Sequence, residues 1–226
     1  MALSGSRDFL LTRDDIIELA LSKIGALDQG QSPTSDQLAR CAKALNTIVK
    51  SLQAESVYLW EATTGSTAVV VGQTTVYTPG VDVIAIEHTV IRRSGEDIPL
   101  TVITREEWMS IIDKDAVGKP LKIFPELTLT GIQYTLWPTG ETGQSDTIYY
   151  TQYKKLQDFD AASNDLPFPS FWSQAFVYLL AFDQSHDYSL PVGERNELFS
   201  FANLLKIEAK GAGREGGSVL VRGGGK

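Results

Sequence analysis

Two histidines, a single cysteine and several close pairs of carboxylates are the residues of this chain that could do acid–base, nucleophilic or metal chemistry. His88 and His186 stand far apart, and neither has a His or Cys at metal-ligand spacing. His186 falls near the end of a helical run, where the helix dipole favours a cation. No serine occupies a nucleophile elbow, and Cys41 has no His close by in sequence. The pairs Asp14/Asp15, Glu106/Glu107, Asp113/Asp115 and Asp158/Asp160 could supply the two carboxylates of a glycosidase. The first two pairs fall in the first turns of helices, where acids are favoured in any case. Tyr149, Tyr150 and Tyr153 alternate along a strand, as a half-buried sheet or a base- or sugar-stacking platform would have them. The glycines after Lys210 follow a helix, and no Gly-Lys-Ser or Gly-Lys-Thr accompanies them, so they are not a phosphate loop. These residues converge on no catalytic, cofactor or metal site. The reading is of a protein that is not an enzyme.

The elements around them centre on residues 159–210. Trp172, Ala175, Phe176, Leu179 and Phe182 recur at helical steps, and Phe171, Tyr178 and Leu180 widen that face. A helix apolar over so much of its surface is the centre of a bundle or packs on another subunit. Pro169 and Pro191 suit the first turns of this helix and the next. The next carries Leu198, Phe201, Ala202 and Leu205. Trp172, Phe176, Leu179, Phe182, Leu198, Phe201 and Leu205 are therefore the expected bundle and inter-subunit packing residues. Burying Trp172, Phe176 and Leu179 is worth roughly 1.5–3 kcal/mol each.

At the other end of the chain, Thr12 and Asp15 resemble a capping box. They open a helix through Ile16, Ile17, Leu19, Ala20 and Ile24, which Gly25 ends. Ser32 as N-cap and Pro33 at the first helical position open a second helix. Its stripe is Leu38, Cys41, Leu45, Ile48, Val49 and Leu52, which makes Cys41 a small buried apolar residue. Between the helix pairs the period becomes that of strands: 69–71, 75–77, 83–86, 90–91, 121–124, 132–137 and 147–153. Ser94-Gly95-Glu96-Asp97 is expected to turn a hairpin between 92–94 and 98–102, and Gly140-Glu141-Thr142-Gly143 a hairpin of the last two strands. Thr104 and Glu107 cap a short helix through Trp108, Met109 and Ile112.

The expected fold is α+β. About four helices from both ends of the chain form an antiparallel bundle, with a β-rich sandwich or barrel-like insertion and a flexible C-terminal tail. The divisions are an arm (1–11), the bundle (12–57 with 159–210), the β-rich insertion (58–158) and the tail (211–226). The tail is rich in glycine around Val219-Leu220-Val221 and carries Arg214, Arg222 and Lys226 against Glu215. It cannot pack on itself, and its apolar run could add a strand to a partner's sheet edge.

With 226 residues and ordinary hydrophobic content, the chain can bury a normal core. Its apolar runs fall short of the roughly 20 residues of a membrane span, and a lone cysteine builds no disulfide framework. No signal peptide is seen, so a soluble protein of the cytosol is expected. A net charge of −8 argues against a protein that grips nucleic acid by its phosphates. It leaves room for a surface past which nucleic acid slides.

Several ordered patterns carry a resemblance. They are the helix ending Lys23-Ile24-Gly25 and the strand Gln133-Tyr134-Thr135-Leu136-Trp137-Pro138 followed by Ile148-Tyr149-Tyr150-Thr151-Gln152-Tyr153. With them go Leu156, Asp158-Phe159-Asp160 and Leu166-Pro167-Phe168-Pro169 before the Trp- and Phe-rich helix, and Leu190-Pro191-X-X-Glu194-Arg195 opening the last one. The chain resembles the head-to-tail adaptor proteins of short-tailed bacteriophages over most of residues 12–210.

That resemblance implies a structural virion protein at the head–tail junction, assembled in the host cytoplasm as a homo-oligomeric ring, commonly a dodecamer. The ring would bind the portal protein above and the tail nozzle or tube below, and its β domain could help to seat tail fibres. Genomic DNA would pass through the lumen during ejection without sequence-specific binding. The tail residues Arg214, Val219, Leu220, Val221 and Arg222 would dock on the portal. The alternative from the residues is a ligand- or carbohydrate-binding module with a β domain carried on helices, which predicts a monomer.

Overall fold

The computed structural model describes residues 10–28, 30–55, 62–71, 76–129, 131–163 and 168–212. The chain is α+β, and it divides into two compact units: Met1–Trp60 with Leu156–Lys226, and Glu61–Lys155. The expectations for residues 1–9 of the N-terminal arm, Gly72, Thr75, Leu166 and Pro167, and the tail residues Arg214, Val219, Leu220, Val221 and Arg222, lie outside the described residues.

The first unit is helical. In α1 (Arg13–Lys23) the Thr12 hydroxyl accepts from the Asp15 N–H, and the Asp15 carboxylate accepts from the Thr12 N–H at 2.9 Å. Two donors of the first turn are thereby satisfied reciprocally. At the other end Gly25 takes φ +68°, and the Ala26 N–H returns to the Leu21 carbonyl at 3.0 Å. This is a Schellman stop, which needs a left-handed residue and so favours glycine.

Helix α2 (Ser35–Ala54) begins later than Ser32 and Pro33 suggest. Thr34 is its cap, because Gln37 lies three residues on and reaches back to the Thr34 N–H at 2.9 Å. Ser32 as cap would put Ser35 in that place, and a serine is too short to close the box.

After Leu156 and Phe159, both buried in the helical core, a 3-10 turn at Ser170–Trp172 leads into α4 (Ser173–Gln184). Then α5 (Val192–Ala212) begins as the Pro191 carbonyl accepts from the Arg195 N–H, and it continues two residues past the expected stop at Lys210. Helix α4 contacts α1, α2 and α5, so its wide apolar surface is covered from several sides within one chain. Ile16, Ile17, Leu21, Leu45, Trp172, Phe176 and Leu180 are wholly buried there.

The second unit holds two four-stranded sheets with one shared hydrophobic core. One is ordered β1-β8-β3-β4, from Ala62–Ala68, Thr147–Lys154, Val83–Arg93 and Glu96–Pro99. The other is β2-β7-β6-β5, from Val76–Tyr77, Gly131–Trp137, Lys122–Thr128 and Thr101–Val102. Helix α3 (Arg105–Ser110) has the expected Thr104/Glu107 capping box but stops before Ile112, which is fully exposed.

Three sheet expectations are corrected. Strands β7 and β8 are not a hairpin: they lie in different sheets, and residues 138–146 cross between them. There Arg93 binds Asp146 and Glu141, and Thr139 pairs with Ala116, so the Gly140–Gly143 turn belongs to a crossover. The β3–β4 turn is tighter than four residues. Arg93 pairs with Glu96, and Ser94 and Gly95 both take positive φ, the mirror-image turn that matches strand twist. Residues 98–102 are not one strand, because the chain changes sheets at buried Leu100. Strand β1 carries no sequence signal. Its Gly65 lies opposite Tyr150, where an added Cβ would sit 2.4 Å from the ring.

Candidate functional site

The packing residues read from the sequence separate into three kinds. Trp172 and Phe176 are core: with Phe168 they form an aromatic cluster, ring centroids 4.6 to 6.1 Å apart, and neither is exposed. Leu179, Phe182, Leu198 and Leu205 are half-buried. Phe201 remains 54% exposed and is not part of the core of the single chain. On α4 the deepest face runs through Ser173, Val177, Leu180, Ala181 and Gln184 as well as Phe176, not through Leu179 and Phe182.

The same rotation recurs on α5. Its two fully covered residues are the small Ala202 and Ala209, seven apart and flanked by Leu198 and Leu205. That spacing, and not the large side chains, marks the buried seam. Val192, Phe199, Phe201, Leu204 and Ile207 are left outward. Phe199 rests against Phe182 at 5.1 Å and Phe201 against Tyr178 at 5.9 Å, each covered on one side. On α1, Leu19 is 42% exposed, and Leu21 takes the buried position.

Leu19, Tyr178, Leu198 and Phe201 border a surface groove within the helical unit. Its largest hollow, of about 400 Å³, is lined by Leu11, Leu19, Lys23, Phe171, Ser173 and Val177 among others, and Tyr178 continues it into a second of about 260 Å³ beside Leu198 and Phe201. A third, of about 300 Å³, extends it past Leu10 to Asp15 and Glu18. The floor is apolar and the rim carries Asp15, Glu18, Glu194 and Glu197 with Lys23 as its cation. Apolar concavity with sparse polar groups suits a docked chain segment or subunit.

The chemically versatile residues are engaged structurally. Cys41 is buried, donates to Gln184 at 3.5 Å, and burial with the nearby Asp183 and Asp187 pushes its thiol up to about 11. His88 sits at a bulge of β3 with φ 48° and is exposed. His186 stacks edge-on to Phe182 beside Arg195. Asp15 and Glu107 close capping boxes, and their carboxyls fall below the usual range because Thr12 and Thr104 donate to them. Asp158 pairs with Lys50 at 2.7 Å, and Asp113 accepts from the Asp115 N–H. Tyr150 and Tyr153 are buried while the Arg92 guanidinium lies 4.4 Å over the Tyr149 ring, so the three tyrosines present no common platform. Among the described residues no His, Cys, Asp and Glu group could hold a metal ion, and no helix is long and apolar enough to cross a membrane.

No protein-family model matches the chain, and no curated protein matches it significantly.

Proposed function

We propose that the protein is a structural subunit of a homo-oligomeric ring, the head-to-tail adaptor of a short-tailed bacteriophage. The observation that carries the proposal is the apolar surface that the helical unit leaves outward after filling its own core: Leu19, Phe171, Phe201, Leu204 and Ile207. A monomer gains nothing from exposing large side chains along one helix and its neighbours, whereas subunits of a closed ring bury such surface against one another. The helices from both ends of the chain would then be a bundle, and the unit from Glu61 to Lys155 its β-rich insertion. The ordered sequence patterns of the adaptor family support the same reading.

In this reading the portal lies above the ring, the tail nozzle or tube below, and genomic DNA passes through the lumen. A net charge of −8 suits a channel that does not retain DNA. The deciding experiment is negative-stain microscopy of the purified protein with and without the portal of its phage. Rings, formed alone or only on the portal, are expected. A monomer indifferent to the portal would overturn the proposal and favour a ligand-binding module.

A further inference from the structure

A sheet edge presents a row of unpaired backbone N–H and C=O groups, and proteins keep such edges short, charged or interrupted by proline. Three of the four edges in the β unit follow that rule. Strands β2 and β5 are two residues long, and β4 carries Glu96, Asp97 and Pro99. The fourth edge, β1, does not. It pairs with β8 through seven consecutive residues without a bulge, Ala62-Thr63-Thr64-Gly65-Ser66-Thr67-Ala68, and it holds neither charge nor proline. Its neighbours on β8, from Thr147 to Tyr153, are uncharged as well. Among the described residues no strand pairs with the outer side of β1.

The ladder shows which groups face outward. The Val69 N–H donates to the Asp146 carbonyl at 2.9 Å, in step with the pairing of Thr67 with Ile148 and of Gly65 with Tyr150. The odd-numbered residues of β1 therefore direct their backbone groups to β8, and Ala62, Thr64, Ser66 and Ala68 direct theirs outward. The strand also reads nearly the same from either end. Turned about Gly65, Ala62 falls on Ala68, Thr63 on Thr67 and Thr64 on Ser66. A second copy laid antiparallel about a twofold axis at Gly65 would thus meet like with like. Thr64 and Ser66 would exchange hydrogen bonds across the axis, as would Ala62 and Ala68, so every outward group of the strand finds a partner. Thr63 of one copy would lie beside Thr67 of the other, a favourable cross-strand pair. Two glycines face each other at the axis, so no side chain obstructs it.

We infer that β1 is a self-pairing edge: two copies of the chain join β1 to β1 about Gly65, making one continuous eight-stranded sheet from two of four. The occupant is a second copy because a twofold contact demands a self-complementary surface. Strand β1 supplies one in backbone register, side-chain size and absence of charge. A contact through one strand edge lies at the small end of the interface scale, below roughly 1,200 Å², so the pairing is reversible at concentrations on the order of micromolar or above. Such a contact closes at two copies. It is a different association from the ring contact of the helical unit and stands whether or not the protein is an adaptor.

Cysteine trapping in the full chain tests it. Ala62→Cys and Ala68→Cys are made singly, and native Cys41 is buried in both. In the twofold register Ala62 lies opposite Ala68, whereas two copies of either residue lie about 20 Å apart, beyond the reach of a disulfide. Under mild oxidation the mixed variants should form the 62–68 cross-link at least about tenfold faster than either variant dimerises with itself. Equal rates would indicate random collision and overturn the pairing. Thr64→Lys with Ser66→Lys, at two exposed positions, sets like charges opposite each other and should slow the cross-link about tenfold. An unchanged rate with retained circular dichroism would also overturn it. Residue-resolved hydrogen exchange identifies any other occupant. The Thr64 and Ser66 amides should become protected as protein concentration rises, while those of Thr63, Gly65 and Thr67 are protected throughout. Protection at every concentration would give the edge to a segment of the same chain, and protection at none would leave it open; either outcome sinks the inference. Rings on the portal without the cross-link would remove the edge pairing alone, and the cross-link without rings the adaptor reading alone.

Discussion

Phe201 of α5 lies with its ring centroid 5.9 Å from that of Tyr178 on α4, yet it remains 54% exposed. One edge is packed and the rest faces outward, where the proposed ring would place a neighbouring subunit. Replacing Phe201, Leu204 and Ile207 together by serine should leave the helical unit folded at a cost of roughly 2–4 kcal/mol, since only about half of each side chain is covered within the chain. Self-association should weaken by about tenfold or more, because buried aromatic and aliphatic anchors dominate interface energies. Sedimentation velocity across a concentration series measures this. Unaltered assembly would remove these side chains from the subunit contact.

Arg93 and Asp146 make a two-pronged pair at 2.8 and 2.6 Å in the β unit, with the Asp146 side chain 2% exposed. A second arm of the guanidinium reaches Glu141 at 2.6 Å. The pair fastens the crossover between β7 and β8 to the β3–β4 hairpin, and it holds the Arg93 guanidinium more firmly protonated. Asp146→Ala should destabilise this unit by about 2–3 kcal/mol, because it removes the buried partner of Arg93 while Glu141 still pairs with the guanidinium. Urea unfolding followed by tyrosine and tryptophan fluorescence would show it. A loss below about 1 kcal/mol would mean that water replaces the carboxylate freely.

That crossover also shows where sequence reading gives out. Helices were legible because their signals are local: the Thr12/Asp15 and Thr104/Glu107 boxes and the Gly25 stop all work within one turn. The stripe Cys41, Leu45, Val49 and Leu52 faces the core as its spacing requires. Sheet membership is not local. Leu136 and Ile148 both point into one core, so alternation is the same whether their strands pair directly or face each other across it. Strand β1, Ala-Thr-Thr-Gly-Ser-Thr-Ala, lacks large apolar residues, and Gly65 must stay small beneath Tyr150. On α4 and α5 the large side chains misled, because close helix packing selects alanines for the seam and turns Phe199 and Phe201 outward.

Glu55, just past α2, accepts from both Lys206 and Lys210 of α5 and so ties the ends of two helices together. Its carboxyl is held below the usual range chiefly by the Lys210 hydrogen bond, against a smaller opposing effect of burial. A depressed folded-state carboxylate contributes stability that is present above its unfolded pKa and lost as pH falls through the folded value. The helical unit should thus weaken as pH drops below about 4.5. Because Glu55 is 40% exposed in its side chain, solvent screening limits the contribution to a few tenths of a kcal/mol up to about 1 kcal/mol. Glu55→Gln should flatten that part of the acid limb in pH-dependent thermal unfolding. An identical acid limb in the variant would show the lysine pairs to be energetically silent.

Cys41 should be inert in the folded protein and reactive once the helical unit opens. It is 1% exposed on α2, against Gln184 of α4, and its thiol is pushed up to about 11. Thiolate is the reacting species, so at pH 8 the upward shift alone slows alkylation on the order of a hundredfold, before steric shielding is considered. Reaction with a disulfide reagent should therefore follow opening of the α2–α4 contact, with a rate that rises steeply in sub-denaturing urea. The linkage has a definite sign: above about pH 8.5 the unfolded thiol ionises while the folded one stays neutral, so stability falls with rising pH. Cys41→Ala should abolish that alkaline loss while costing a modest amount from the small cavity. Fast labelling of the native protein at pH 8 would show that the α2–α4 contact opens readily, and the buried thiol would then be a property of only part of the ensemble.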